Sequence, residues 1–329
     1  MYRLLSFTFS LFLIGTIICY GSTDTTASEP AELKIREQST SDQFVGTYKL
    51  IKVERRVNNG GWEAVGPDRL AYLLYDSSGH MSVQLMPVDR KPYEGGQPTA
   101  EEALAAITSY GAYFGAYSVD ASTQTVTHHR EGHLNPGQAH VDAPRGYEFS
   151  GDRLTLTPPS RSVDGKEVTT HLIWERLPEV ALTPGQERFV GFWRLISNER
   201  QAADGELISK VDGQTGYIMY TASQHMAVQM VRPDRQSYAG NTPTAEEAHA
   251  AITTYGNYFG TFSVNEEEGF VTHHREGNLN PSGVNTDAKR FRTFLGNRLI
   301  LQPPARDIDG QEVQSTITWE RITRPSQTP

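Results

Sequence analysis

The strongest constraint on this chain is that it contains one unit twice. Phe44–Leu177 and Phe189–Ile322 align without a gap at a constant offset of 145 positions. FVG recurs at Phe44 and Phe189, and TAEEA at Thr99 and Thr244. VTHHREG recurs at Val126 and Val271, each time followed by LNP, and WER closes both copies at Trp174 and Trp319. A unit of this length buries a core of its own, so the fold must be one that works as a tandem duplicate. The predicted organisation is a signal peptide over 1–21, a tether over 22–43 and a first barrel over 44–177. A Pro/Gly linker over 178–188, a second barrel over 189–322 and a tail over 323–329 complete it.

Within one unit the pattern is almost entirely that of strands. Phe44–Arg55 alternates and is rich in β-branched residues. Leu70–Tyr75 and His80–Met86 flank the turn Asp76-Ser77-Ser78-Gly79, and Tyr113–Val119 and Thr125–Glu131 form a second pair. Arg145–Ser150 and Arg153–Thr157 flank Gly151-Asp152, and Val168–Leu177 is the last strand. The one strong helix signal falls between the third and fourth strands, where Thr99-Ala-Glu-Glu102 is a capping box before an Ala-rich run. Its stripe of Ala103, Ala106, Ile107 and Tyr110 suits a lid or plug at a barrel mouth. The fold class is therefore all-β: two tandem eight-stranded antiparallel up-and-down barrels, each with one short helix. Closure is what removes the exposed edges.

Charge and cysteine content narrow the partners. Against 39 acidic residues stand 30 basic ones, a net charge of −9 with no general field for nucleic acid. Met1–Arg3 followed by the apolar Leu4–Ile18 has the form of an export signal, and is short for a membrane span. A membrane is expected only through that segment, as an uncleaved anchor or as a lipid on Cys19, the sole cysteine. The predicted location is periplasmic or secreted. Thiolate catalysis, disulfides and cysteine metal sites are excluded from the folded part.

Gly46-Thr-Tyr48 and Gly191-Phe-Trp193 on the first strands, with Trp174-Glu-Arg176 and Trp319-Glu-Arg321 on the last, resemble the calycin arrangement. The hairpin around His80-Met-Ser-Val, the Tyr113-Phe-Gly segment, the VTHH run and the later Asn135-Pro are similar to the bacterial and fungal lipocalin-like domains. The resemblance implies that Tyr48 and Trp193 plug the barrel floors under Arg176 and Arg321, a cation–π contact of about 0.5–2 kcal/mol. Tyr48 departs from the tryptophan of that pattern.

Alternation places His128 and Arg130 on the inward face with Val126, and likewise His273 and Arg275 with Val271. It also places Glu54 and Glu199 on the face of Tyr48 and of Trp193, and adds Tyr75 and Tyr220 to the candidate ligand-facing set. Such a His, Arg and Glu cluster can orient a ligand or move a proton, or it can be a buried network that fixes register. Adjacent His128 and His129 point to opposite faces and cannot chelate one ion, so no metal or cofactor is expected. Two readings of His80 and Gln84 stand: outer surface residues, or cavity residues if the Met81, Val83 and Leu85 face packs outside.

The leading expectation is an exported tandem barrel binding a small, largely apolar molecule, its copies forming an intramolecular pseudo-dimer. One alternative is a cyclase or isomerase with His128 and His273 as acid–base groups. The other is a scaffold of the cell envelope.

Overall fold

The computed structural model describes residues 40–66 and 68–323, so the signal, Cys19 and the tail beyond residue 323 lie outside the described residues. The first unit runs β1 (Gly46–Val57), β2 (Glu63–Ala64), β3 (Arg69–Tyr75), β4 (His80–Pro87), α1 (Ala100–Ser109), β5 (Gly111–Asp120) and β6 (Thr125–His133). It continues through β7 (Asp142–Ser150), β8 (Arg153–Thr157), β9 (Arg161–Val163) and β10 (Lys166–Arg176). After a short helix α2 (Pro184–Glu187), the second unit repeats the order. It comprises β11 (Gly191–Ala202), β12 (Leu207–Lys210), β13 (Thr215–Tyr220), β14 (His225–Val231), α3 (Ala245–Thr253) and β15 (Tyr255–Asn265). β16 (Phe270–Asn278), β17 (Thr286–Leu295), β18 (Arg298–Gln302), β19 (Arg306–Ile308) and β20 (Gln311–Arg321) complete it.

Antiparallel neighbours follow the chain, and pairing of β1 with β10 and of β11 with β20 closes each sheet into a barrel of eight strands. The short β2, β9, β12 and β19 extend the rims. Local chemistry explains the joints. Asp76 Oδ1 accepts from Ser78 N at 2.8 Å, and Gly79 takes the positive φ that ends the turn. Thr99 Oγ1 accepts from Glu102 N while the Glu102 carboxylate accepts from Thr99 N at 2.8 Å, and Thr244 with Glu247 repeats this at α3.

Two bulges per barrel decide which residues face the axis. One lies between Leu50 and Lys52 against β10, the other between Phe114 and Gly115 against β6. At the second, a Cβ on Gly115 would stand 2.0 Å from the His129 carbonyl oxygen, so only glycine lets the strands approach. The bulges recur at Leu195/Ser197 and Phe259/Gly260.

The core falls into three parts. Two lie inside the barrels, around Tyr48, Leu73, Tyr75 and Trp174 and around Trp193, Ile218, Tyr220 and Trp319. The third joins the units: Tyr72, Leu74 and Phe114 of the first pack with Phe192, Tyr217 and Phe259 of the second. The Ala103, Ala106 and Ile107 face of α1 and the Ala248, Ala251 and Ile252 face of α3 belong to it as well. The helices are thus not lids: they pack against each other between the barrels, because their stripe matches an apolar outer face rather than a mouth.

Reciprocal polar contacts span this junction. Tyr72 Oη donates to Glu276 at 2.7 Å and Tyr217 Oη to Glu131 at 2.5 Å. Arg90 donates to the Asn278 and Leu279 carbonyls, and Arg235 to those of His133 and Leu134. Such i-to-j and j-to-i pairing is how an isologous interface is built. It also settles His80 and Gln84, which fit neither sequence-based alternative. Met81 and Val83 face the barrel interior, while His80 packs on Phe192 at 5.1 Å and Gln84 is fully buried at the junction.

Candidate functional site

The floor of each barrel is built first. Arg176 lies 4.7 Å from the Tyr48 ring centroid and Arg321 lies 4.0 Å from that of Trp193. Arg176 also donates to the Gln43 and Val45 carbonyls, which holds the end of the segment read as tether against the floor. Gly46 is needed beneath it, since a Cβ there would meet Arg176 Nη1 at 2.5 Å with φ at +145°. Phe44 seals the gap edge-to-face with Tyr75, Tyr147 and Phe149 at 4.9–5.3 Å.

Above the floor sits a three-residue relay. The His128 ring is held on both nitrogens: Tyr75 Oη lies 2.7 Å from Nε2 and Tyr113 Oη 2.8 Å from Nδ1. Tyr220, His273 and Tyr258 repeat it at 2.7 and 2.9 Å. Burial, reinforced by Arg145 and Arg130, holds the His128 pKa well below that of free imidazole, and burial with Arg290 and Arg275 does the same for His273. A neutral imidazole has one donor and one acceptor. Tyr75 is 1% exposed and its hydroxyl has His128 Nε2 as its hydrogen-bond partner. The tautomer that satisfies the buried hydroxyl proton is the one in which Tyr75 donates to Nε2, Nδ1 carries the ring proton, and Tyr113 Oη accepts it. The Tyr113 hydroxyl then keeps its own proton for another acceptor. Desolvation raises its pKa, so it stays a phenol.

The strand registers place the remaining candidates. Arg130 faces inward opposite Gly115, its Nε donating to the Val141 carbonyl at 2.7 Å, and its guanidinium is 5.9 Å from the Tyr113 ring. Arg275 occupies the same position, 5.8 Å from Tyr258. Tyr75, His128 and Arg130 are thereby brought together, as are Tyr220, His273 and Arg275. Glu54 and Glu199 are not. The bulge at Ile51 shifts the alternation by one, so Val53 takes the inward position opposite Leu172 and Glu54 turns outward to pair with Lys52. Glu199 likewise turns outward beside Lys210 at 3.8 Å. The acid–base alternative therefore has no interior carboxylate to orient His128.

Sequence reasoning missed three groups. Arg145, paired with Val126 and two residues from inward Tyr147, lies inside, as does Arg290. The alternation that marks Tyr147 and Phe149 carried that signal. Arg292, in the place of Tyr147, adds a further guanidinium to the second barrel. His133, past the second bulge, stacks on Tyr113 at 5.5 Å, and burial beside Arg130 pushes its pKa down to about 3. Asn278 replaces it in the second copy.

His129 lies on the outer face between Ser118 and Asp142, both at 2.8 Å, so the two adjacent histidines share no site. Among the described residues no three His, Cys, Asp or Glu side chains converge on a metal position.

A closed antiparallel eight-stranded barrel with a guanidinium over its floor aromatic defines a calycin-type protein. The lipocalin-like domain profile matches residues 45–177 and again 190–322, and the chain belongs to that family as a tandem pair. No curated protein matches the chain. Among solved structures, a candidate outer-membrane protein of Bacteroides fragilis NCTC 9343 aligns at 11% identity, over 85% of this chain and 99% of its own, with a TM-score of 0.23. A DUF3598-family protein of unknown function from Nostoc punctiforme PCC 73102 aligns at 9% identity over 85% and 97%, with a TM-score of 0.23. Isotype 1 transferrin-binding protein B of serogroup B Neisseria meningitidis aligns at 10% identity over 84% and 76%, with a TM-score of 0.22.

Proposed function

We propose that the protein is an exported carrier with two sites, each barrel taking one small molecule whose apolar body lies above the aromatic floor. The observation that carries this reading is the graded exposure of the inner wall. Tyr48, Leu73, Tyr75 and Trp174 are at most 1% exposed. The inward-facing Val53, Leu85, Tyr113 and Leu172, farther from the floor, all stay partly accessible. Met230, Tyr258 and Ile317 do the same in the second barrel. An inward side chain reached by solvent means an open mouth, and a barrel of eight strands has room for one small ligand. The apolar 4–18 segment supports export, which cell fractionation and sequencing of the mature N-terminus test.

The binding test is titration of the full chain with phenylnaphthylamine, an uncharged probe that fluoresces in apolar surroundings. Saturation at two probes per chain is expected. Leu85→Trp, which fills the first mouth, should leave one, and adding Met230→Trp should leave none. A signal rising linearly without saturation, or one indifferent to both substitutions, overturns the reading.

A further inference from the structure

We infer that each barrel recognises its ligand by an anionic head group, a carboxylate on an apolar body, and that the second barrel holds it more tightly. This rests on the reading that the barrels bind small molecules. The chain as a whole carries −9, yet the charge inside the barrels has the opposite sign. Arg130 and Arg145 face the first interior, and Arg275, Arg290 and Arg292 the second. Once the bulges turn Glu54 and Glu199 outward, the inward strand positions hold no Asp or Glu among the described residues. The ion pairs among the described residues, such as Lys52–Glu54 and His129–Asp142, lie on the outer face and involve none of these five guanidiniums.

The nearest carboxylates, Asp142 and Asp287, act on Arg130 and Arg275 only from the outer face, where they pair with His129 and His274. Two or three like charges in one enclosure are then unfavourable, and an entering anion relieves that. The fork of a guanidinium fits the two oxygens of a carboxylate. The free Tyr113 proton adds a neutral donor at the same height. Other donors are also unmet: Trp174 and Trp319, each 1% exposed, have buried indole N–H groups without an acceptor, and Arg292 Nε is buried without one. The apolar wall of Leu85, Leu172 and Val53 suits the body of such a ligand rather than a small inorganic ion.

The test compares dansylundecanoic acid with its methyl ester on the full chain, with phenylnaphthylamine as the uncharged control. The acid should bind at least tenfold more tightly than the ester, with an affinity that weakens as salt is raised. In the Leu85→Trp chain, where only the second barrel is open, that ratio should exceed the one in the Met230→Trp chain. Arg292→Tyr, which restores the residue of the first copy, should bring the two ratios together. Arg130→Gln with Arg145→Gln should abolish the preference in the first barrel, and Arg130→Lys should reduce it by keeping charge without the fork. Should the double variant fail to fold, the acid-to-ester ratio of the unaltered chain still decides. Equal binding of acid and ester, with phenylnaphthylamine still saturating, overturns the inference and leaves the carrier reading standing. Binding of none of the three probes overturns both.

Discussion

Removing one member of the His128 relay should cost far more than removing two that face each other. Tyr75→Phe deletes the hydroxyl that serves His128 Nε2 at 2.7 Å, leaving a fully buried acceptor unpaired. His128→Leu instead strands the Tyr75 hydroxyl, which is 1% exposed and has no route to water. Each orphaned buried group costs about 1–3 kcal/mol, whereas replacing both partners by apolar groups of similar shape is nearly neutral. Tyr113 sits on the accessible side and finds another partner in either case. The double variant should therefore be more stable than the sum of the singles by about 2–6 kcal/mol. Urea unfolding at pH 7.5, followed by the fluorescence of the buried tryptophans, gives all four corners of the cycle. Singles that add within about 0.5 kcal/mol would refute the relay as a coupled unit.

The same burial sets a pH dependence. His128, His273 and His133 stay neutral in the fold but protonate near 6.5 when unfolded, so stability is full above that pH and is lost as pH falls below it. The three together should remove roughly 3–4 kcal/mol between pH 7.5 and 5.5, and His128→Leu should flatten that slope by about a third; a pH-independent urea midpoint would contradict this. Gly115→Ala should destabilise by at least about 2 kcal/mol, because the new methyl meets the His129 carbonyl at 2.0 Å; an unchanged melting temperature would show that the bulge is not needed. Arg90→Ala with Arg235→Ala removes four charged hydrogen bonds to carbonyls across the junction. It should weaken the junction by roughly 4–8 kcal/mol and speed proteolysis of the 178–188 linker, whereas an unchanged digestion rate would mean that apolar packing alone holds the units together.

How far the sequence could be read follows from these same residues. Alternation within β6 placed His128 and Arg130 on one face because nothing interrupts it between Val126 and Arg130. It failed for Glu54 because FVGTYKLIKVER alternates smoothly through Ile51. The bulge there arises from pairing with β10, a partner more than a hundred residues away, and leaves no local mark. Capping chemistry located α1 and α3, though not the short α2 within the segment read as a linker, and the stripe on α1 states only that something apolar covers it. What covers it is α3 and the outer wall of the other barrel. The unbroken apolar run LAYLLY in β3 held the missing clue, since a strand apolar on both faces is buried on both. The first Arg130-like signal was found because it sat beside a repeated His pair. Arg145 escaped because it stands alone before Gly146, and Arg290 because it lies in the basic run Lys289-Arg290-Phe291-Arg292, which reads as a solvated stretch.

Where a bound molecule sits in the crystal decides whether the barrel interiors are ligand sites. Crystals of the full chain soaked with bromododecanol, an uncharged ligand, would reveal the bromine by its anomalous scattering. The account predicts one bromine site inside each barrel, above Tyr48 and above Trp193. Bromine confined to the outer clefts beside α1, lined by Arg90, Tyr93 and Ala105, and beside α3, lined by Pro233, Arg235 and Ala250, with both interiors devoid of it, would contradict the claim that these barrels are built to hold a ligand.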